Sequence, residues 1–148
     1  MNQTRGMTDA RIDRLLDEAR DLLGYRPGPE QAAKEQAEGA LLVDTRPSEL
    51  RRIDGEIPGA VIVDRNKLEW RLDPSSPWSI DEIEGPDQRV ILVCDEGYAS
   101  SLAAVTLRRI GLDGATDLDG GFQAWAAAGL PVDRSPRRGS WLRGRPAV

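Results

Sequence analysis

Apolar residues between positions 8 and 23 (Ile12, Leu15, Leu16, Ala19, Leu22 and Leu23) recur at helical spacing, with Arg11, Arg14, Asp17, Glu18 and Asp21 on the other faces. Gly24 is expected to end this helix. The turn-forming Tyr25-Arg26-Pro27-Gly28-Pro29 follows, and a second helix is predicted over 30–38, closed by Gly39. The pattern then changes to short continuous apolar runs at 40–43, 60–63 and 90–93, with a weaker one at 115–118. Such runs fit parallel strands buried on both faces. Residues 64–89, with Trp70, Trp78, Pro74, Pro77 and Pro86, read as a long irregular connection containing a short helix near 66–72. Ser100 and Ser101 suit the N-cap of a helix over 102–110, stopped by Gly111. Ala103, Leu107 and Ile110 share its inner face. A last helix over 122–128 carries Phe122 and Trp125 on one side and ends before Gly129 and Pro131. Strands alternating with helices predict an α/β domain around a parallel sheet.

Composition narrows the chemistry. A chain of 148 residues with 30% charged residues suits one domain with its own core. It holds no apolar run of the roughly 18 residues that a membrane span needs. Residues 1–10 lack the apolar stretch of a secretory signal, so the cytoplasm is the expected compartment. There is no histidine, which excludes Cys-His and Ser-His catalysis within the chain and zinc sites built on histidine. A single cysteine excludes an internal disulfide. The net charge of −5 argues against general nucleic-acid binding. Residues 133–148 run the other way, with Arg134, Arg137, Arg138, Arg143 and Arg145 against Asp133. They read as a solvated terminus or as a contact for an anionic partner.

That one cysteine, Cys94, ends the 90–93 run and opens the loop Asp95-Glu96-Gly97-Tyr98-Ala99-Ser100, which leads into a helix. A thiol there faces the backbone N–H groups of a helix start, which favour a thiolate or persulfide. The alternative is a small buried hydrophobe. In parallel sheets, reactive groups gather at the carboxyl ends of strands. A second such end, Asp44-Thr45-Arg46, follows the first strand run, which favours the functional reading of Cys94. Arg46 either assists an anion there or pairs with Asp44 or Glu49.

In order along the chain stand Leu42-Val43-Asp44-Thr45-Arg46, then Gly55-Glu56-Ile57-Pro58-Gly59-Ala60, then Val93-Cys94 with Gly97, then Gly120-Gly121-Phe122 with Trp125 and Gly129-Leu130-Pro131-Val132. This series resembles the rhodanese-like domain family. The resemblance implies an α/β fold with a central parallel sheet of about five strands and helices on both faces. It divides the chain into an N-terminal amphipathic helix extension (1–24), the rhodanese-like domain (25–132) and the Arg-rich tail (133–148). It also implies that Cys94 carries sulfur as a persulfide, taken from thiosulfate or another sulfane donor and passed to a thiol or cyanide. No cofactor or metal is implied, and the backbone N–H groups of Asp95 to Ser100 would cradle the persulfide.

The chain departs from the family where arginines often stand in the loop, for it has Asp95 and Ala99 there. The adjacent Asp95 and Glu96 are expected to disfavour a thiolate and repel a dianionic donor. Arg65 and Arg71 are the candidates to replace the missing charge. Glu56 stands where the family usually has histidine, and is read as a surface change. Tyr98 either lines the pocket mouth or packs the loop. Two further readings stand beside the sulfurtransferase. One is a catalytically weak binding or regulatory module that meets a protein partner through the N-terminal helix or the basic tail, or a second copy of itself through that helix. The other is a cysteine-dependent phosphatase or arsenate reductase, disfavoured because Ser100 stands where the phosphate-clamping arginine belongs.

Overall fold

A computed structural model describes residues 10–134. The elements are helices α1 (Arg11–Leu23), α2 (Pro29–Ala37), α3 (Ser48–Asp54), α4 (Leu68–Leu72), α5 (Ala99–Arg109) and α6 (Gly121–Ala127), with strands β1 (Leu41–Asp44), β2 (Val61–Ile62), β3 (Val90–Val93) and β4 (Ala115–Asp117). A 3-10 turn, Arg65–Lys67, precedes α4. The strands form one parallel sheet in the order β2-β1-β3-β4. Leu41 to Asp44 of β1 pair in register with Val90 to Val93 of β3.

Alternation along these strands sorts their side chains into two cores. Val43, Val61, Val63, Val90, Leu92 and Ala115 meet Leu23 of α1, Leu68 and Leu72 of α4, and Ala103, Ala104 and Leu107 of α5. Leu42, Ile91, Val93 and Leu118 meet Ala32 of α2 with Phe122 and Trp125 of α6. Helices therefore cover both faces of the sheet. Phe122 and Trp125 are 1% and 2% exposed, and replacing either with alanine should cost about 3–5 kcal/mol.

The sheet has four strands, where about five were expected. Residues 25–27 lie along the edge strand β4 but form no ladder with it. Thr116 donates its hydroxyl to the Tyr25 carbonyl at 2.6 Å and the Asp119 amide donates to the Pro27 carbonyl at 2.9 Å. Pro27 and Pro29 have no N–H to give back. The segment covers an edge that would otherwise stand open.

The N-terminal helix packs on its own domain. Leu16, Ala19 and Leu23 are buried, and Arg108 of α5 donates to the Leu22, Leu23 and Ala115 carbonyls. That guanidinium satisfies carbonyls at the end of α1 and ties them to β4. The other flank of α1 leaves Ile12, Leu15 and Leu22 exposed. Among the described residues, no helix is long and apolar enough to cross a membrane. Of the Arg-rich tail, only Asp133 and Arg134 fall within the described residues.

Candidate functional site

The loop after β3 is shaped by its neighbours from both sides. The Cys94 and Asp95 carbonyls accept from the Phe122 and Gln123 amides at 2.9 and 3.1 Å, so the first turn of α6 holds the start of the loop. This needs two backbones in contact. A Cβ on Gly121 would lie 2.6 Å from the Cys94 carbonyl oxygen, and one on Gly97 would lie 2.8 Å from the Gly120 nitrogen. Both glycines also take positive φ, +62° and +85°, where a side chain adds strain. Held this way, the Gly97 N–H donates to the Cys94 Sγ at 3.2 Å.

The second contact of the sulfur is with Ser100, whose Oγ lies 3.1 Å from Sγ. Ser100 in turn donates to the Asp117 carboxylate at 2.7 Å, and Ser101 donates to the same Oδ2 at 2.9 Å. The two serines therefore stand inside the first turn of α5 and hold Asp117, where N-caps were expected; the cap position is Tyr98. Asp117 is fully buried. Arg26 completes its shell, with Nε on Oδ1 at 2.8 Å and Nη2 on Oδ2 at 3.2 Å. Burial alone would lower the Arg26 pKa. The hydrogen bonds and charge of Asp117, then Asp119 and the Cys94 sulfur, outweigh it and raise the pKa above its ordinary value.

Arg20 of α1 reaches the loop from the other side. Its Nη2 donates to the Gly97 carbonyl at 2.8 Å, its Nε to the Ser101 hydroxyl at 3.4 Å, and its guanidinium carbon lies 5.3 Å from the centre of the Tyr98 ring. Arg26 Nη2 donates to that same Gly97 carbonyl at 3.1 Å. Beside this contact lies a cavity of about 200 Å³, lined by Arg20, Glu96, Tyr98 and Gly120 together with Asp13, Asp17 and Asp119. Tyr98 thus lines the pocket, with its ring against Arg20 of α1. The acidic pair is split, because Asp95 accepts from Gln123 at 2.9 Å while Glu96 lines the cavity.

The remaining candidates are held by other partners. Asp44 and Arg46 are buried and pair with each other at 2.8 Å; Arg46 also donates to the Gly55 carbonyl at 2.8 Å and lies 3.8 Å from the centre of the Phe122 ring. They brace the end of β1 against α6. Arg65 pairs with Glu69 at 2.9 Å, and Arg71 donates to the Trp78 carbonyl at 2.7 Å. Arg20 and Arg26 are the arginines seen on the Cys94 loop. Glu56, read as a surface change, is buried at 7% exposure. It pairs with Arg51 at 2.8 Å, and its backbone bridges to Asp133.

Sequence reasoning missed Arg20, Arg26 and Asp117. Asp117 left a usable signal, since a carboxylate within a buried strand run needs a cationic or hydroxyl partner. The two arginines left none.

A family model for the rhodanese-like domain matches residues 28–128. The thiosulfate sulfurtransferase GlpE of Haemophilus influenzae is 30% identical over 105 residues, 71% of this chain and 90% of that protein. GlpE of Vibrio cholerae is 41% identical over 49 residues, so the match spans 33% of this chain and about half of that relative, 46% of its length. Among solved structures, a protein of unknown function from Rhodopseudomonas palustris, described as a possible tyrosine phosphatase, superposes with a TM-score of 0.75 at 32% identity over 90% of this chain and 99% of that one. From its ordered motifs, its parallel sheet and its cysteine loop, the chain belongs to the rhodanese-like domain family.

Proposed function

We propose that the protein is a sulfurtransferase that carries sulfane sulfur as a persulfide on Cys94. The observation that carries this reading is the setting of the sulfur: a partly exposed thiol at the end of β3, between the Gly97 N–H and the Ser100 hydroxyl. The Cys94 thiolate attacks the outer sulfur of the donor. An S–S bond forms to Cys94 as the donor's own bond breaks, and its electron pair leaves with sulfite when the donor is thiosulfate. A thiolate or cyanide acceptor then attacks the outer sulfur of Cys94–S–S⁻ and returns the Cys94 thiolate. No oxidant or cofactor enters the exchange. The names of the GlpE relatives support thiosulfate as the donor to try first. Asp95 and Glu96, which follow Cys94 in the loop, favour a less anionic donor, such as an organic persulfide. The cytoplasm is the compartment that fits a reduced thiol.

Intact-mass measurement after incubation with thiosulfate, and separately with a thiol persulfide, tests the proposal. One added sulfur, absent in Cys94→Ser and removed by cyanide, is expected. If neither donor loads Cys94, the enzyme reading is wrong.

A rhodanese-like binding or regulatory module is the second reading. It is favoured by the exposed Ile12, Leu15 and Leu22 of α1, at 58%, 51% and 64% exposure, which would suit a protein partner or a second copy of the chain. A phosphatase is disfavoured because the loop ends in Ser100, which donates to Asp117 and offers no phosphate clamp.

A further inference from the structure

Arg20 and Arg26 both precede residue 28, where the family match begins, and they lie 77 and 71 residues from Gly97 in sequence. Both nevertheless end on the same carbonyl of the Cys94 loop. Two guanidinium groups on one oxygen is a costly arrangement unless it is compensated, because like charges repel. Asp117 and Asp119 on Arg26 supply compensation, and Arg20, which donates to Ser101 and stacks on the Tyr98 ring, shares its cavity with Asp13, Asp17 and Glu96.

We infer that Arg20 and Arg26 are positioning residues of the Cys94 site, which fix the Gly97 N–H and the Ser100 hydroxyl on the sulfur and supply the positive charge that the loop itself lacks. This rests on the sulfurtransferase reading. The geometry gives two routes to the sulfur. In the first, both arginines clamp the Gly97 carbonyl, and the N–H of the same residue donates to Sγ. In the second, Arg26 holds Asp117, Asp117 holds Ser100, and Ser100 meets Sγ. A persulfide on Cys94 places its negative charge at the outer sulfur. The Gly97 N–H stays on the inner sulfur, and the two cations behind the loop act on that charge without reorganising during the transfer, while the Ser100 hydroxyl adds its proton by turning from Asp117. The N-terminal helix is on this view part of the site.

The alternative is that both arginines only staple the N-terminal segment to the domain. Alkylation of Cys94 by iodoacetate and by iodoacetamide separates the two. The ratio of the two rates cancels thiolate fraction and access and reads the local charge. Arg20→Gln and Arg26→Gln should each lower that ratio roughly threefold, the effect of one nearby charge at water-like dielectric. Arg14→Gln, on an exposed position of the same helix, should leave it unchanged. Arg26→Lys should keep the ratio, since it keeps the charge. It should still lower kcat for sulfur transfer by about tenfold, because an ammonium cannot span Asp117 and Gly97 as the guanidinium fork does. Arg26→Gln removes the cation from the buried Asp117 and so also tests folding; Arg20→Gln, at a partly exposed position, carries the test of charge on its own. An unchanged alkylation ratio in folded Arg20→Gln would overturn the electrostatic role. An unchanged kcat in Arg26→Lys would overturn the positioning role. The alkylation ratio needs no sulfur donor, so it reads the arginines even where no donor loads Cys94 and the sulfurtransferase reading itself fails.

Discussion

The Sγ of Cys94 and the hydroxyl of Ser100 lie 3.1 Å apart at the start of α5. In the thiol form Cys94 donates to Ser100, which donates on to Asp117. When the sulfur is anionic, the hydroxyl can turn its proton back to it. Asp117 tolerates that loss, since Ser101 and both bonds from Arg26 remain.

Ser100→Ala should therefore lower kcat for sulfur transfer by about tenfold to a hundredfold, the worth of one hydrogen bond to a charged group. KM should change little. Steady-state kinetics beside a thermal unfolding curve checks this, and an unchanged kcat in a folded variant would remove Ser100 from the reaction.

Gly121→Ala should destabilise the protein by about 2–5 kcal/mol, combining left-handed strain with overpacking. All three atoms nearest the new methyl are backbone, the Cys94 and Asp95 carbonyl oxygens and the Gly97 nitrogen, so none can rotate away. Urea unfolding gives the number. A loss below about 1 kcal/mol would mean that the two loops can part.

Glu96→Gln should raise kcat/KM for thiosulfate roughly threefold at low salt, mostly through KM, and less as salt is added. Glu96 lines the cavity while Asp95 is held by Gln123. Arg65→Ala, whose guanidinium pairs with Glu69, should stay within about twofold of the unchanged protein. Equal responses from the two variants would argue that the donor enters elsewhere.

Tyr25 donates its hydroxyl to Glu35. Burial, then the hydrogen bond and charge of Glu35, raise its pKa against the opposing effects of Arg89 and Gln31. A tyrosine whose pKa is higher folded than unfolded stabilises the fold fully below the unfolded value of about 10, and loses that contribution as pH rises through the folded value. Tyr25 is 46% exposed, so solvent keeps the effect below about 1 kcal/mol. Tyr25→Phe should melt slightly lower near neutral pH, with the two melting curves converging above about pH 10. A gap that widens with pH would contradict the assignment.

Much of the fold was legible because burial repeats with the period of the backbone. Runs such as Val90–Val93 are buried on both faces, and Phe122 with Trp125 mark the inner side of α6. Helix α3 escaped notice because its one buried residue is Arg51, while Ile53 is 76% exposed. It has no apolar stripe to read.

By itself, the sequence determined the order of the four strands and of the helices other than α3, the strand-end place of Cys94 and the family. These are local properties, written in spacing and in motifs that each span a few residues. Only the tertiary structure decided which charges meet the Cys94 loop. Arg20, Arg26 and Asp117 reach the loop from α1, the turn behind it and β4. Their encounter follows from packing α1 on α5 and laying residues 25–27 along the sheet edge. No periodicity records a contact made by the ends of long side chains across more than seventy residues of chain.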